Sequence, residues 1–144
     1  MKRRQKPIEK KSKLHDRWVE EIFKEPAKLP IKIQGEIIRK LKFPKSVFTK
    51  KELADLILVA KKEKIIHIFF IEIKTGLFGG GKAKQQVKTA LKFFLKEFNF
   101  WKEKLEIRNY EIKKIIIHSL LIWIDKTAVP PSLRVESQYK KIIA

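Results

Sequence analysis

The stretch that most constrains the fold runs from Leu53 to Lys74. Within it, two β-branched and aromatic runs of strand length flank the polar tetrapeptide Lys61-Lys-Glu-Lys64, a pattern that predicts an antiparallel hairpin. Both faces of Ile65–Ile73 are apolar, so the second strand is expected to be central and covered on each side. Period-2 alternation puts Glu72 and Lys74 on one face and Ile71 and Ile73 on the other. Folding about Lys62 or Glu63 lays Asp55 opposite residues 69–71, one diagonal step from Glu72, and diagonal partners lie roughly 7–8 Å apart. Two carboxylates and an ammonium then converge at the end of an oily ribbon.

Such a convergence is costly unless compensated. Paired carboxylates repel each other and lose hydration, and a divalent ion together with the lysine is the natural remedy. Hard oxygen ligands select Mg²⁺ (or Mn²⁺) over Zn²⁺, and the chain has no cysteine.

Asp55, sixteen intervening residues, Glu72-Ile-Lys74 and then a helix carrying Gln85-Gln86 resemble the PD-(D/E)xK nuclease superfamily, which includes restriction endonucleases and archaeal Holliday-junction resolvases. The resemblance covers roughly residues 53–95, with an extension back to a helix near Glu21. It implies an α/β fold with a restriction-endonuclease-like αβββαβ core, a central mixed sheet flanked by helices, and Mg²⁺-dependent hydrolysis of DNA phosphodiesters. In that scheme Asp55 and Glu72 hold the metal, joined by Glu21 from the first helix. Lys74 positions or activates the attacking water and offsets negative charge. The family's helix glutamine maps onto Gln86, at the margin of the buried stripe, in preference to Gln85. Ala54 departs from the family pattern, standing where its name has proline.

Glu-x-Lys recurs by chance in so lysine-rich a chain, at Glu9-Lys-Lys11 and Glu111-Ile-Lys113. Only the copy at Glu72 ends a long apolar strand and precedes an amphipathic helix. A rival motif overlaps it: Gly76-Leu-Phe-Gly-Gly-Gly81-Lys82 satisfies the phosphate-loop pattern, with Leu120–Asp125 as a Walker-B-like run. Ala83 replaces the Ser or Thr that should ligate Mg²⁺, and a hairpin strand is at odds with the parallel sheet of that fold. The simpler expectation is a glycine loop beside the cleft, with Lys82 and Lys84 touching phosphates.

Composition points to the partner. Lys and Arg number 35 against 16 acidic residues in 144, a net charge of +19, and a polyanion, nucleic acid first, is the expected ligand. A lysine-rich thermophile surface would usually balance lysine with glutamate, and this one does not. Residues 1–13 read as a basic flexible arm whose Arg3 and Arg4 contact phosphates, and residues 14–144 as a single domain, for which 44% apolar residues can supply the core. The absence of cysteine and of a secretory pattern gives a cytoplasmic, intracellular expectation. The longest oily run, Ile115–Ile124, is about half a membrane span, so no membrane partner is expected.

Along the chain, Leu14, Trp18, Val19 and Ile22 give an amphipathic helix over Lys13–Lys24 closed by Pro26, with His15 on its apolar side as a packed core residue. Leu29–Lys51 supplies a first strand or short helix. A helix over Ala83–Asn99 buries Val87, Ala90, Leu91, Phe94 and Phe98, and carries Lys84, Lys88, Lys92 and Lys96 outside as a basic ridge. Phe98, Phe100 and Trp101 close it as a packing cluster. After the strand Ile115–Ile124, Leu133–Ala144 forms a last strand or helix. The expected function is a metal-dependent DNA endonuclease acting on branched or junction DNA as a homodimer, the alternatives being a non-catalytic nucleic-acid-binding protein on the same fold or a phosphate-loop nucleotide-binding protein.

Overall fold

The computed structural model describes residues 6–42, 54–74, 81–125 and 132–143, with side chains described for all of these except 6–13, 81–84 and 86. The elements in order are α1 (Lys6–Lys24), β1 (Glu36–Lys42), β2 (Leu56–Lys62), β3 (Ile65–Lys74), α2 (Gly81–Lys96), α3 (Phe98–Lys104), β4 (Lys114–Asp125) and β5 (Ser132–Ile143), with a short 3-10 turn at Pro26–Lys28. The strands form one five-stranded sheet in the order β1-β2-β3-β4-β5. All neighbours are antiparallel except β3 and β4, which run parallel. The fold is therefore α/β with a mixed sheet.

β2 and β3 are the expected hairpin, closed by Glu63-Lys64 between the paired Lys62 and Ile65. Glu63 adopts φ 56, a left-handed conformation that costs a non-glycine residue about 1 kcal/mol or more. The register pairs Leu56 with Ile71, so Asp55 arrives level with Glu72. This corrects the expected diagonal placement by one rung, and the change shortens the separation of the two acids.

Alternation along these strands builds two cores. Ile57, Val59, Ile66, Ile68, Phe70, Ile115 and Ile117 face α2 and α3 and pack on Ala90, Phe94 and Trp101. Leu56, Leu58, Phe69, Ile71, Ile73, Leu120, Ile122 and Ile124 face α1 and pack on Val19 and Ile22. Every residue of Leu56–Ala60 is 0% exposed, which is what an apolar run covered on both faces requires. Phe94, also fully buried, stacks tilted on Phe70 at 4.8 Å and edge-on to Phe98 at 5.5 Å. Truncating it to Ala would cost about 3–5 kcal/mol.

Several boundaries differ from expectation. α1 begins at Lys6, so residues 6–13, expected in the arm, form its first turns. The helix expected over Ala83–Asn99 is two helices, with a break at Glu97. The first strand resolves to Glu36–Lys42, led by Gly35 at φ +89, where an added Cβ would stand 2.4 Å from the Lys61 carbonyl oxygen. The last segment is a strand, 12 residues long and exposed along much of its length. No described helix is long and apolar enough to cross a membrane.

Candidate metal and phosphate site

The C-terminal end of β3 carries the charged residues. Glu72 and Lys74 continue the row of Ile66, Ile68 and Phe70, so they lie on the α2 face. The Lys74 Nζ is 3.7 Å from Glu72 Oε1. Asp55 sits in the bend before β2 and is 3% exposed. Its backbone N–H donates to the Ile71 carbonyl at 3.0 Å, and its Oδ2 accepts the Ile73 N–H at 2.8 Å. A side-chain oxygen thus takes the place of a strand carbonyl where regular pairing ends. Turned into the plane of the sheet, this carboxylate can reach both layers.

On one side it meets Glu72. Burial first, and then the charge and hydrogen bonding of Asp55, push the Glu72 carboxyl up to about 8 against the opposing pull of Lys74 and His15. A glutamate that holds its proton near neutrality because it is buried, with a second acid close by, is a group that a bound cation would return to its charged form. On the other side Asp55 meets α1. His15, 1% exposed, places Nε2 at 3.1 Å from Asp55 Oδ2 and Nδ1 at 3.0 Å from Asp16 Oδ1. Both contacts are donations only in the imidazolium, the form with two N–H groups.

His15 is the residue that spacing did not single out. It shares a stripe with Val19 and Ile22, four and seven residues on, and was expected to pack as core. Its buried position holds, but its nitrogens face carboxylates. Glu21, expected to join Asp55 and Glu72, is six residues from His15, about 9 Å along the helix and about 120° around it. Its carboxylate goes to Lys28 Nζ at 3.5 Å, and it is not brought into the cluster. Glu20 pairs with Lys42, which also lies over the Phe23 ring.

The structure therefore brings together Asp55, Glu72 and Lys74 and adds His15. Gln85 is exposed on α2, while the side chain of Gln86 lies outside the described residues. The same holds for Lys82 and Lys84, and for Arg3 and Arg4 altogether. Residues 75–80 of the glycine loop are outside them too, so the phosphate-loop reading falls largely there, and β3 has an antiparallel neighbour on one side and a parallel one on the other. Lys88, Lys92 and Lys96 are exposed along α2, as the basic ridge requires.

Among the described residues no group of three or more His, Cys, Asp or Glu side chains is arranged to hold a metal ion. Two adjoining carboxylates are nonetheless a donor set suited to Mg²⁺, which commonly takes one or two carboxylates and completes its shell with water and phosphate oxygens. No protein-family model, curated protein or solved structure matches the chain.

Proposed function

We propose that this chain is a metal-dependent nuclease that hydrolyses phosphodiester bonds in DNA. One observation carries the reading: the β2–β3 register brings Asp55 level with Glu72 at one end of the hairpin, with the Lys74 ammonium 3.7 Å from Glu72. The element order α1-β1-β2-β3-α2-α3-β4-β5 supports the same reading, since apart from the short α3 and the final β5 it follows the αβββαβ sequence of the superfamily that the motif resembles. The +19 charge supports a nucleic-acid substrate.

Asp55 and Glu72 would hold Mg²⁺, which would supply Lewis-acid polarisation of a phosphate oxygen and a water of lowered pKa. The protein's own groups do the rest. His15 donates to Asp55 and fixes the carboxylate it touches, as an outer partner orients a ligand. Lys74 lies beside Glu72 as a point charge, placed to hold the attacking water and to offset charge gathering on the phosphate oxygens. Water attacks phosphorus and gives up a proton to solvent, the bond to the leaving sugar oxygen breaks, and that oxygen takes up a proton from solvent, so the protons balance. Lys88, Lys92 and Lys96 hold the strand through phosphates without reading its sequence.

The test is incubation with linear duplex, single-stranded and four-way-junction DNA in Mg²⁺, Mn²⁺ or EDTA. Asp55→Asn preserves an acceptor for Ile73 N–H and is expected to lower cleavage by at least about 10³-fold while DNA binding in EDTA stays within about threefold. Cleavage retained in Asp55→Asn would remove this site from the chemistry. Binding without cleavage under every metal would leave a non-catalytic nucleic-acid-binding protein.

A further inference from the structure

One strand beyond Lys74 lies a cleft that the hydrolytic reading does not use. It has a volume of about 380 Å³ and is lined by Trp123, Arg134, Val135 and Glu136. Trp123 on β4 is the register partner of Lys74 on β3 and of Arg134 on β5. Neighbouring strands are about 4.8 Å apart and paired residues point to the same side. The indole therefore stands one strand from the ammonium, on the same face of the sheet.

The cleft is a built feature of β5. Leu121 pairs with Ser137 but Ile122 pairs with Val135, so Glu136 is an extra residue in the ladder. A bulge of this kind bends its strand and re-aims side chains, and bulges are over-represented beside active sites. Arg134 is 65% exposed and its guanidinium is steadied by Asp125 at 3.8 Å. Trp123 is half-buried.

These groups suit a base better than a phosphate. A phosphate subsite would gather cations, whereas among the described residues the lining sets one guanidinium beside an indole, a valine and a carboxylate. A flat aromatic ring stacks on any nucleobase, a planar guanidinium covers a second π face, and a carboxylate accepts from exocyclic amino groups. We propose that the cleft receives an unstacked nucleobase from the nucleotide beside the scissile phosphate. Its place beside a cut phosphate rests on the nuclease reading; the base site itself does not. A base inside a continuous duplex cannot reach such a ring without leaving its stack. The favoured substrate class is thus DNA with unpaired nucleotides next to the cut, either single strands or branch points, over uninterrupted duplex.

The test compares, in EDTA, a short oligodeoxycytidylate, whose bases carry exocyclic amino groups, with an abasic deoxyribose-phosphate chain of the same length and charge. Wild-type protein is expected to bind the base-bearing chain about 5- to 100-fold more tightly. Trp123→Ala should bind both alike, and Trp123→Phe should keep most of the preference. Equal affinity of the wild-type protein for the two chains overturns the proposal without any variant, and so does a preference undiminished in a folded Trp123→Ala. A cleavage assay with wild-type and Asp55→Asn protein separates the two readings. DNA cutting with no base preference removes the cleft and leaves the nuclease. Base preference with no cutting in any metal removes the nuclease and leaves the cleft.

Discussion

Two histidine clusters occupy the α1 face of the same sheet, and their neighbours give them opposite characters. At the C-terminal end of β3, His15 lies between Asp16 and Asp55, next to Glu72. Toward the other end, His67 Nδ1 is 3.0 Å from His118 Nε2, and both rings stack with Phe69. Burial pushes the His118 imidazole down to about 4 and also lowers His67, with Lys140 adding to both. The second pair is a neutral, aromatic piece of core. The first is a cluster of ionisable groups that burial makes expensive. The location of a cost the core does not need is where a ligand can be expected to repay it.

The sharpest way to break this contrast is at Glu72. Because its carboxyl is pushed up to about 8, cation binding must displace a proton, and apparent Mn²⁺ affinity should rise about tenfold per pH unit from pH 6 toward 8, then level off. Glu72→Gln should abolish both affinity and slope in calorimetric titration. The same group should destabilise the metal-free protein as pH rises: the unfolded glutamate ionises above 4.5 while the folded one does not until about 8, so stability falls across that window. Mg²⁺ should flatten this arm of a denaturation curve.

Next in size is His15→Ala, expected to weaken Mn²⁺ binding about 10- to 100-fold through loss of the donor that orients Asp55. His15→Gln should recover part of that affinity. If His15 were packing alone, the two variants would differ in melting temperature and not in metal affinity.

The distal pair predicts the opposite pH arm. Depressed imidazoles keep their stability above the unfolded pKa of 6.5, and it is lost as pH falls through about 4. The loss is on the order of 3 kcal/mol at most. His118→Phe should remove that acid-side loss and leave the Glu72 arm and metal affinity untouched, as denaturation at pH 4, 6 and 8 would record. The smallest effect is expected at Glu63, whose φ of 56 favours glycine. Glu63→Gly should add about 0.5 kcal/mol, or roughly 2 °C in melting temperature, with no change in cation binding.

Where side chains alternate strongly, the sequence was legible. Apolar periodicity located the β2–β3 hairpin, the buried run of β4 and the stripes of α1 and α2, because burial on both faces of a strand or one face of a helix leaves a direct imprint. The register missed by a rung because Glu63-Lys64 closes the hairpin without the Asn or Gly that would mark its centre. In α1, Glu21 and His15 both fall near the apolar stripe, and only the docking of the helix on the sheet decides which side chain meets Asp55. β5 was ambiguous because an exposed edge strand carries little alternation. Its bulge, and with it the cleft at Trp123, depends on how two strands pair and leaves no local pattern to read.

The hydrogen bond from Ile73 N–H to Asp55 Oδ2 has a mechanical consequence. It ties one acid to the very peptide that separates the other acid from the lysine, so the three groups travel as a unit when the sheet flexes. Their mutual spacing is then inherited from the backbone dimensions of β3 and of the bend that this bond ties to it. Surrounding segments can be lengthened, shortened or exchanged, and the trio would keep its shape.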